Sequence, residues 1–244
     1  MNIMRTKLTI TIALLFLVAT NAQWGKRIKG NGKTVTIERT VGEYDAIAVS
    51  GWFDVELVSG PEGDISIKGE ENLLEYIKTE VKDGKLTIKT SKGVNLKPSN
   101  WNSGIYVTVP IESVRMVSLS GSGDVTTNTV IKANNFETSI SGSGDISLAI
   151  EATNVAASLS GSGDINLSGT AVNFDVSVSG SGDINAYALE AENVNAQVSG
   201  SADIKVTAKD MLKARVSGSG DITYKGSPRK VDSKTAGSGD IEAY

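Results

Sequence analysis

Between Ser120 and Ile241 the chain repeats one six-residue phrase, Ser-Gly-Ser-Gly-Asp-Ile, at nearly constant intervals. The first copy ends at Val125; later copies end at Ile146, Ile165, Ile184, Ile204, Ile222 and Ile241, with small departures at Ala202 and Ala236. Their aspartates, Asp124, Asp145, Asp164, Asp183, Asp203, Asp221 and Asp240, stand 21, 19, 19, 20, 18 and 19 residues apart. A unit of about 19 residues is too small to enclose a core, so it must bury its apolar face against copies of itself. That is the mark of a solenoid.

Alignment on the aspartates places the neighbouring residues in columns. One residue before the phrase stand Leu119, Ile140, Leu159, Val178, Val198, Val216 and Thr235. Directly after the aspartate come Val125 and the isoleucines, and two residues further on Leu148, Leu167, Ala186 and Val206. Alternation of period two on both sides of a Gly-Ser corner predicts strand, turn, strand. Parallel stacking of such coils about 4.8 Å apart makes the repeats a rod about 30 Å long. The fading of the apolar columns in the last copy suits a terminal coil.

The segment before the array carries a divergent eighth copy, Ser50-Gly-Trp-Phe-Asp-Val55, in the same frame behind Ile47 and Val49. After it come a strand at Asp64–Ile67, a short helix expected from Glu71 to Ile77, and a hairpin at Val81–Leu86 turning on Asp83-Gly84. A strand from Ile105 to Val109 is expected to end at Pro110. Residues 23–112 are read as a cap plus the first coil of one solenoid, and residues 113–244 as the array.

Two glycines of the phrase behave differently across the copies. The first, at Gly51, Gly121, Gly142, Gly161, Gly180, Gly200, Gly218 and Gly237, never varies, which points to positive φ or to close backbone approach. The second is replaced by Phe53 and Ala202, so it is expected to tolerate a side chain. A second polar column, Asn135, Asn154, Asn173 and Asn193, suits a ladder of stacked amides. The aspartate column needs a partner, because carboxylates stacked about 4.8 Å apart repel by about 0.9 kcal/mol per pair even in water. Two partners are open: corner hydroxyls and backbone N–H groups, or calcium ions bound along the file of Asp124 to Asp240. The calcium arrangement resembles the Gly- and Asp-rich nonapeptides of RTX β-rolls, though the period differs. Trp52, Phe53 and Trp101 are either a lid on the first coil or an aromatic platform for a sugar.

Residues 1–22 have the form of a cleaved signal peptide: Arg5 and Lys7, an apolar run from Leu8 to Val18, and a small residue at Ala22. Removing Arg5 and Lys7 from 24 basic residues leaves 22 against 28 acidic, a net charge of −6. An acidic chain without a basic cluster argues against nucleic acid and anionic membranes. The sequence has no Cys and no His, so it has no disulfides and lacks the commonest general base and metal ligand. Seven equivalent aspartates read as architecture, whereas catalysis needs a unique constellation, so no enzyme activity and no catalytic residue are expected.

These motifs together resemble the head GIN domain family of putative autotransporter adhesins, found mainly in Bacteroidetes. The likeness rests on Tyr44–Leu57, on Glu70-Glu-Asn-Leu-Leu74 with Lys82–Leu86, and on the array with its Gly163-Asp-Ile-Asn166 and Gly182-Asp-Ile-Asn185, and runs to Ile241. It implies a right-handed parallel β-helix, an all-β β-solenoid similar to pectin-lyase-like folds but without their catalytic residues, and a role in cell adhesion. The chain is thus expected to be an exported, non-enzymatic interaction module of the bacterial envelope, periplasmic or surface-exposed. Its partner would be a protein or glycan, and it needs no cofactor apart from the calcium alternative. Polysaccharide binding or processing, or a purely structural periplasmic role, are the competing functions.

Overall fold

A computed structural model of the protein describes residues 25–244; the expected signal peptide lies outside them. The strands are β1 (Lys26–Lys29), β2 (Thr34–Thr40), β3 (Ala46–Gly51), β4 (Asp54–Ser59), β5 (Asp64–Glu70), β6 (Ile77–Lys82), β7 (Lys85–Thr90), β8 (Val94–Lys97), β9 (Tyr106–Ile111) and β10 (Met116–Gly121). Then come β11 (Val125–Gly142), β12 (Ile146–Gly161), β13 (Ile165–Gly180), β14 (Ile184–Gly200), β15 (Ile204–Gly218), β16 (Ile222–Lys225), β17 (Lys230–Gly237) and β18 (Ile241–Ala243). From β10 to β18 every pairing is parallel; β11 to β15 are each one long bent strand closed by a Ser-Gly-Asp corner, and the last coil is split into β16 and β17. The protein is a β-solenoid.

The columns read from the sequence are the register of the sheet. Leu119 pairs with Ile140, Ile140 with Leu159, Leu159 with Val178, and Val178 with Val198. The divergent copy joins the same file, with Met116–Gly121 lying on Ala46–Gly51 residue for residue. Spacings other than 19 are absorbed away from the corners. Two extra residues are taken up between Thr126 and Val130, and further ones between Ala186 and Glu190. The corners therefore stay in line while the outer turn swells.

Inside, Val125, Ile146, Ile165, Ile184, Ile204 and Ile222 form a wholly buried file. The terminal coil breaks the pattern: every residue of β17 is exposed, including Val231, Ser233 and Thr235 at formerly inward positions. One inward position carries an orphan polar atom. Thr138 is fully buried and its hydroxyl has no partner, whereas Val117 and Val176 occupy the same column.

At the other end antiparallel strands cap the rod. β2 pairs with β5, β5 with β9, and β6 with β7 through the expected turn, where Asp83 and Gly84 have φ of 52° and 72°. Two expectations change here. The helix covers only Glu71–Leu74, because Ile77 is drawn into β6, where its side chain is buried. The strand expected to stop at Pro110 runs through it to Ile111. Pro110 pairs only with β4, and β5 has already left the other edge after Thr108, so its missing N–H breaks no ladder.

The glycine reading holds for one column and is corrected for the other. In the seven array copies the first glycine has positive φ, +146° at Gly161. Gly51 does not; it is a glycine because a Cβ there would lie 2.3 Å from the Phe53 ring. The second glycine has no positive φ, in keeping with its replacement by Phe53 and Ala202, but it is packed more tightly than that replacement suggests. A Cβ on Gly163 would stand 2.0 Å from the carbonyl oxygen of Gly144 in the coil below, as close as one on Gly161 would come to Gly142. Phe53 escapes this clash by standing first in its column, with its side chain buried in the core. Ala202 is the interior exception, and its methyl is also buried.

Two outcomes follow for urea unfolding. Gly161→Ala and Gly163→Ala are each expected to lose more than about 1 kcal/mol, since both force backbone apart; a near-neutral Gly163→Ala would contradict the packing described. Thr138→Val is expected to gain about 1 kcal/mol by replacing an unpaired buried hydroxyl with a methyl of the same shape.

Candidate functional site

The aspartate file is consumed by the fold. Each motif Asp accepts, on Oδ1, the backbone N–H of the Asp in the next coil. The bonds from Asp164 to Asp145, Asp183 to Asp164, Asp203 to Asp183, and Asp221 to Asp203 measure 2.8, 2.9, 2.8 and 2.9 Å. The file begins at Asp54, whose Oδ1 takes the N–H of Asp124 at 3.2 Å, and ends with Asp240 donating to Asp221 at 2.7 Å. Asp145 donates to Asp124 at 3.2 Å. The adjacent corner carbonyl works in parallel: Gly161 O accepts the N–H groups of both Ser181 and Gly182. Of the two partners considered for the carboxylates, backbone N–H groups are present, but they come from the neighbouring coil.

For calcium the donors are arranged unfavourably. Among the described residues no three His, Cys, Asp or Glu side chains gather as a metal-binding group. One oxygen of each stacked carboxylate is already an acceptor, and a hard cation needs six to eight oxygens around one point. The asparagines also serve the ladder: Asn154, Asn173 and Asn193 donate through Nδ2 to Oδ1 of Asn135, Asn154 and Asn173 at 2.7, 2.8 and 3.0 Å.

What remains unspent lies at the capped end. Trp52 and Trp101 line a cleft of about 670 Å³, together with Asp54, Lys97, Asn100 and Tyr106. Phe53 is not part of it; that side chain is 0% exposed, so the expected three-ring platform is corrected to Trp52 and Trp101 with Tyr106 added. Trp52 takes the place of an exposed corner serine and Phe53 that of a buried glycine, which sends the two rings to opposite sides. Trp101 covers nothing: its relative exposure is 104%, and that of Tyr106 is 49%.

Sequence reasoning missed how the cleft is held. Glu70 is buried, and its carboxylate accepts the N–H of Gly32 at 2.5 Å and of Ser99 at 2.8 Å, tying two loops to the end of β5. Asn72 adds a second tie, accepting from Asn31 N–H and donating to Lys29 O. Beyond Ser99 the loop closes on itself: Asn100 Oδ1 accepts the N–H of Asn102 at 2.9 Å, and Asn100 O that of Ser103 at 3.3 Å. The Tyr106 ring lies against Gly104, where a Cβ would be 2.9 Å away. The Glu70–Leu74 motif marked the place without announcing the burial, because alternation in β5 turns Ile65, Ile67 and Gly69 inward and leaves Glu70 out of phase.

The two carboxyls at this end titrate in opposite directions. Burial raises the Glu70 carboxyl, but the bonds from Ser99 and Gly32 and the charge of Lys29 outweigh it and hold the group below its ordinary value. Asp54 is raised, by burial and by the charge of Asp124 against the single Asp124 N–H bond.

This geometry defines a β-solenoid whose repeats are bonded coil to coil and whose cap carries a cleft lined by Trp52, Trp101 and Tyr106. The chain belongs to the family described as putative auto-transporter adhesin, head GIN domain, whose model matches residues 43–228 and so ends before the last corner. Solved structures agree. A putative adhesin from Bacteroides fragilis is 26% identical, with a TM-score of 0.84 over 89% of this chain and 100% of that one. A protein from Parabacteroides distasonis described as a putative lipid binding protein is 28% identical, with a TM-score of 0.74 over 90% of this chain and 100% of the other. A putative adhesin from Parabacteroides merdae is 26% identical, with a TM-score of 0.72 over 90% and 99%. No curated protein is similar to the chain. Family and fold support an exported adhesin-like protein, and among the described residues no helix is long and apolar enough to cross a membrane.

Both carboxylate arrangements are testable. Asp183→Ala should cost about 1 kcal/mol by stranding the Asp203 N–H, while Asp183→Asn, which keeps Oδ1, should cost less than half of that. Thermal melts of the two variants distinguish them. Because the folded Glu70 carboxyl is held down, its contribution is complete above its unfolded pKa and is lost as pH falls through the folded value. Glu70→Gln should therefore flatten the acid side of the stability–pH curve, measured by urea midpoints across the carboxylate range.

Proposed function

We propose that this protein is an exported, non-enzymatic adhesion module of the bacterial envelope that engages its partner through the cleft at the capped end. The carrying observation is Trp101, an indole fully exposed on a loop that a buried carboxylate holds in place. Leaving a large apolar ring in water on an ordered loop sacrifices the free energy of burying it, and such rings mark contact surfaces. The array favours a supporting role, since its repeated polar groups are bonded between coils and present the same corner many times.

Cells or envelope fragments incubated with fluorescently labelled protein give the test. Trp101→Ala should lower retention about tenfold, as for a central aromatic contact, with an unchanged melting temperature because the ring packs on nothing. Retention equal to that of the unsubstituted protein would exclude the cleft as the contact surface. Protease shaving of whole cells separates a surface module from a periplasmic one.

A further inference from the structure

We infer that the cleft is a saccharide site, and that its ligand is an uncharged sugar of a glycan chain. The inference rests on the adhesion reading above and names the chemistry of its partner. A pyranose ring has an apolar C–H face bordered by hydroxyl groups, so its receptor needs an exposed aromatic plane beside fixed hydrogen-bonding groups. The cleft supplies both. Trp101 and Tyr106 offer ring surface to solvent at 104% and 49% relative exposure, and Trp52 adds a third, partly buried ring. Its volume of about 670 Å³ lies within the roughly 300–1,000 Å³ of small-ligand sites.

The polar groups are placed by the frame. Asp54 is the first member of the aspartate file, so one carboxylate oxygen is held by the Asp124 N–H at 3.2 Å. Its other oxygen accepts no hydrogen bond from the described residues and belongs to a side chain lining the cleft. Asp124 shares only the adjoining groove with Tyr106, and later members of the file sit among corner serines, whereas Asp54 lines the cleft that holds Trp52 and Trp101. Asn100, on the loop fixed through Ser99 and Glu70, and Lys97 line the same cleft. Ordering cost is low because the loop is already bonded in place.

The same features weigh against other occupants. An acyl chain is best served by an apolar enclosure, whereas charged and amide side chains share this lining with the rings. An anionic headgroup or a uronic acid would meet Asp54 with a single lysine for compensation, on an acidic chain.

The experiment is a glycan array carrying neutral and acidic saccharides, probed with the purified protein, beside a flotation assay with phosphatidylcholine vesicles. Calorimetric titration of the best-scoring saccharide follows, with variants. The expected result is binding to a neutral saccharide and none to the vesicles. Trp101→Ala should weaken it at least about tenfold, Trp101→Phe by no more than about threefold, and Asp54→Asn about tenfold, the value of one charge-assisted hydrogen bond. Asp54→Asn keeps the Oδ1 acceptor, so its melting temperature reports whether the ladder survives. A blank array, a preference for acidic sugars, affinity unchanged in Trp101→Ala, or Trp101-dependent vesicle binding would each overturn the assignment. If Trp101→Ala lowers envelope retention while the array stays blank, adhesion through the cleft stands and the saccharide falls. If neither assay responds to Trp101, both fall.

Discussion

The structure depends on how closely two corner backbones approach. Along the array an added Cβ would stand 1.9–2.4 Å from the carbonyl oxygen of the corner residue in the coil below, whichever corner glycine carried it. A glycine permits that distance directly, with Ala202 the interior departure, and the approach is what makes the corner bonds possible. At the observed spacing one glycine carbonyl reaches two N–H groups, and one aspartate oxygen reaches the N–H of its successor. Any slip by one residue would exchange the buried and exposed faces of a whole coil. The corners therefore fix the register, and the inward isoleucines and stacked asparagines follow from it. The exposed ion pairs between neighbouring coils, such as Lys132 with Glu151 and Lys209 with Glu190, add little by comparison.

Much of this was legible because a solenoid writes its contacts as a period. Residues that touch across coils occupy equal positions in successive repeats, so Asn135 and Asn154 could be paired from spacing alone. What the period hides is the direction of approach along the rod axis. Substitution at Ala202 made the second glycine look permissive, because the alignment shows which residue is present and not what lies beneath it. The same blindness applied to the aspartates, whose partner sits one coil away rather than in the same corner. Phe53 was recoverable: it lies two residues before the inward Val55, and simple alternation sends it into the core and Trp52 outward. Grouping the three aromatic rings by type rather than by parity obscured that.

The cap was less legible for a different reason. Its contacts are single events between segments far apart in sequence, such as Glu70 with Gly32 and Ser99. No periodicity announces them, and a buried carboxylate cannot be told from an exposed one in an isolated strand. Pro110 shows the same limit, since whether it ends a strand depends on which edge has lost its neighbour.

On the proposed reading, repetition and recognition divide the molecule between them. In the array one oxygen of each motif aspartate up to Asp221, and the stacked asparagine amides, are bonded to the next copy, and a partner reading those atoms would have to compete with a bond already made. Where the phrase is broken, the exchange fails in an informative way. At Ser50–Val55 a serine has become Trp52 and a glycine Phe53, yet the aspartate and its bond to the next coil persist. The frame is thus kept while the surface is changed, one ring plugging the core at the start of the rod and the other turned out beside Asp54. A second loop, fastened by Glu70, brings Trp101 to the same place. A device that only closed the rod would need the inward ring alone. The outward pair, held on two independently anchored segments, is the surface through which the proposed adhesion contact would be made.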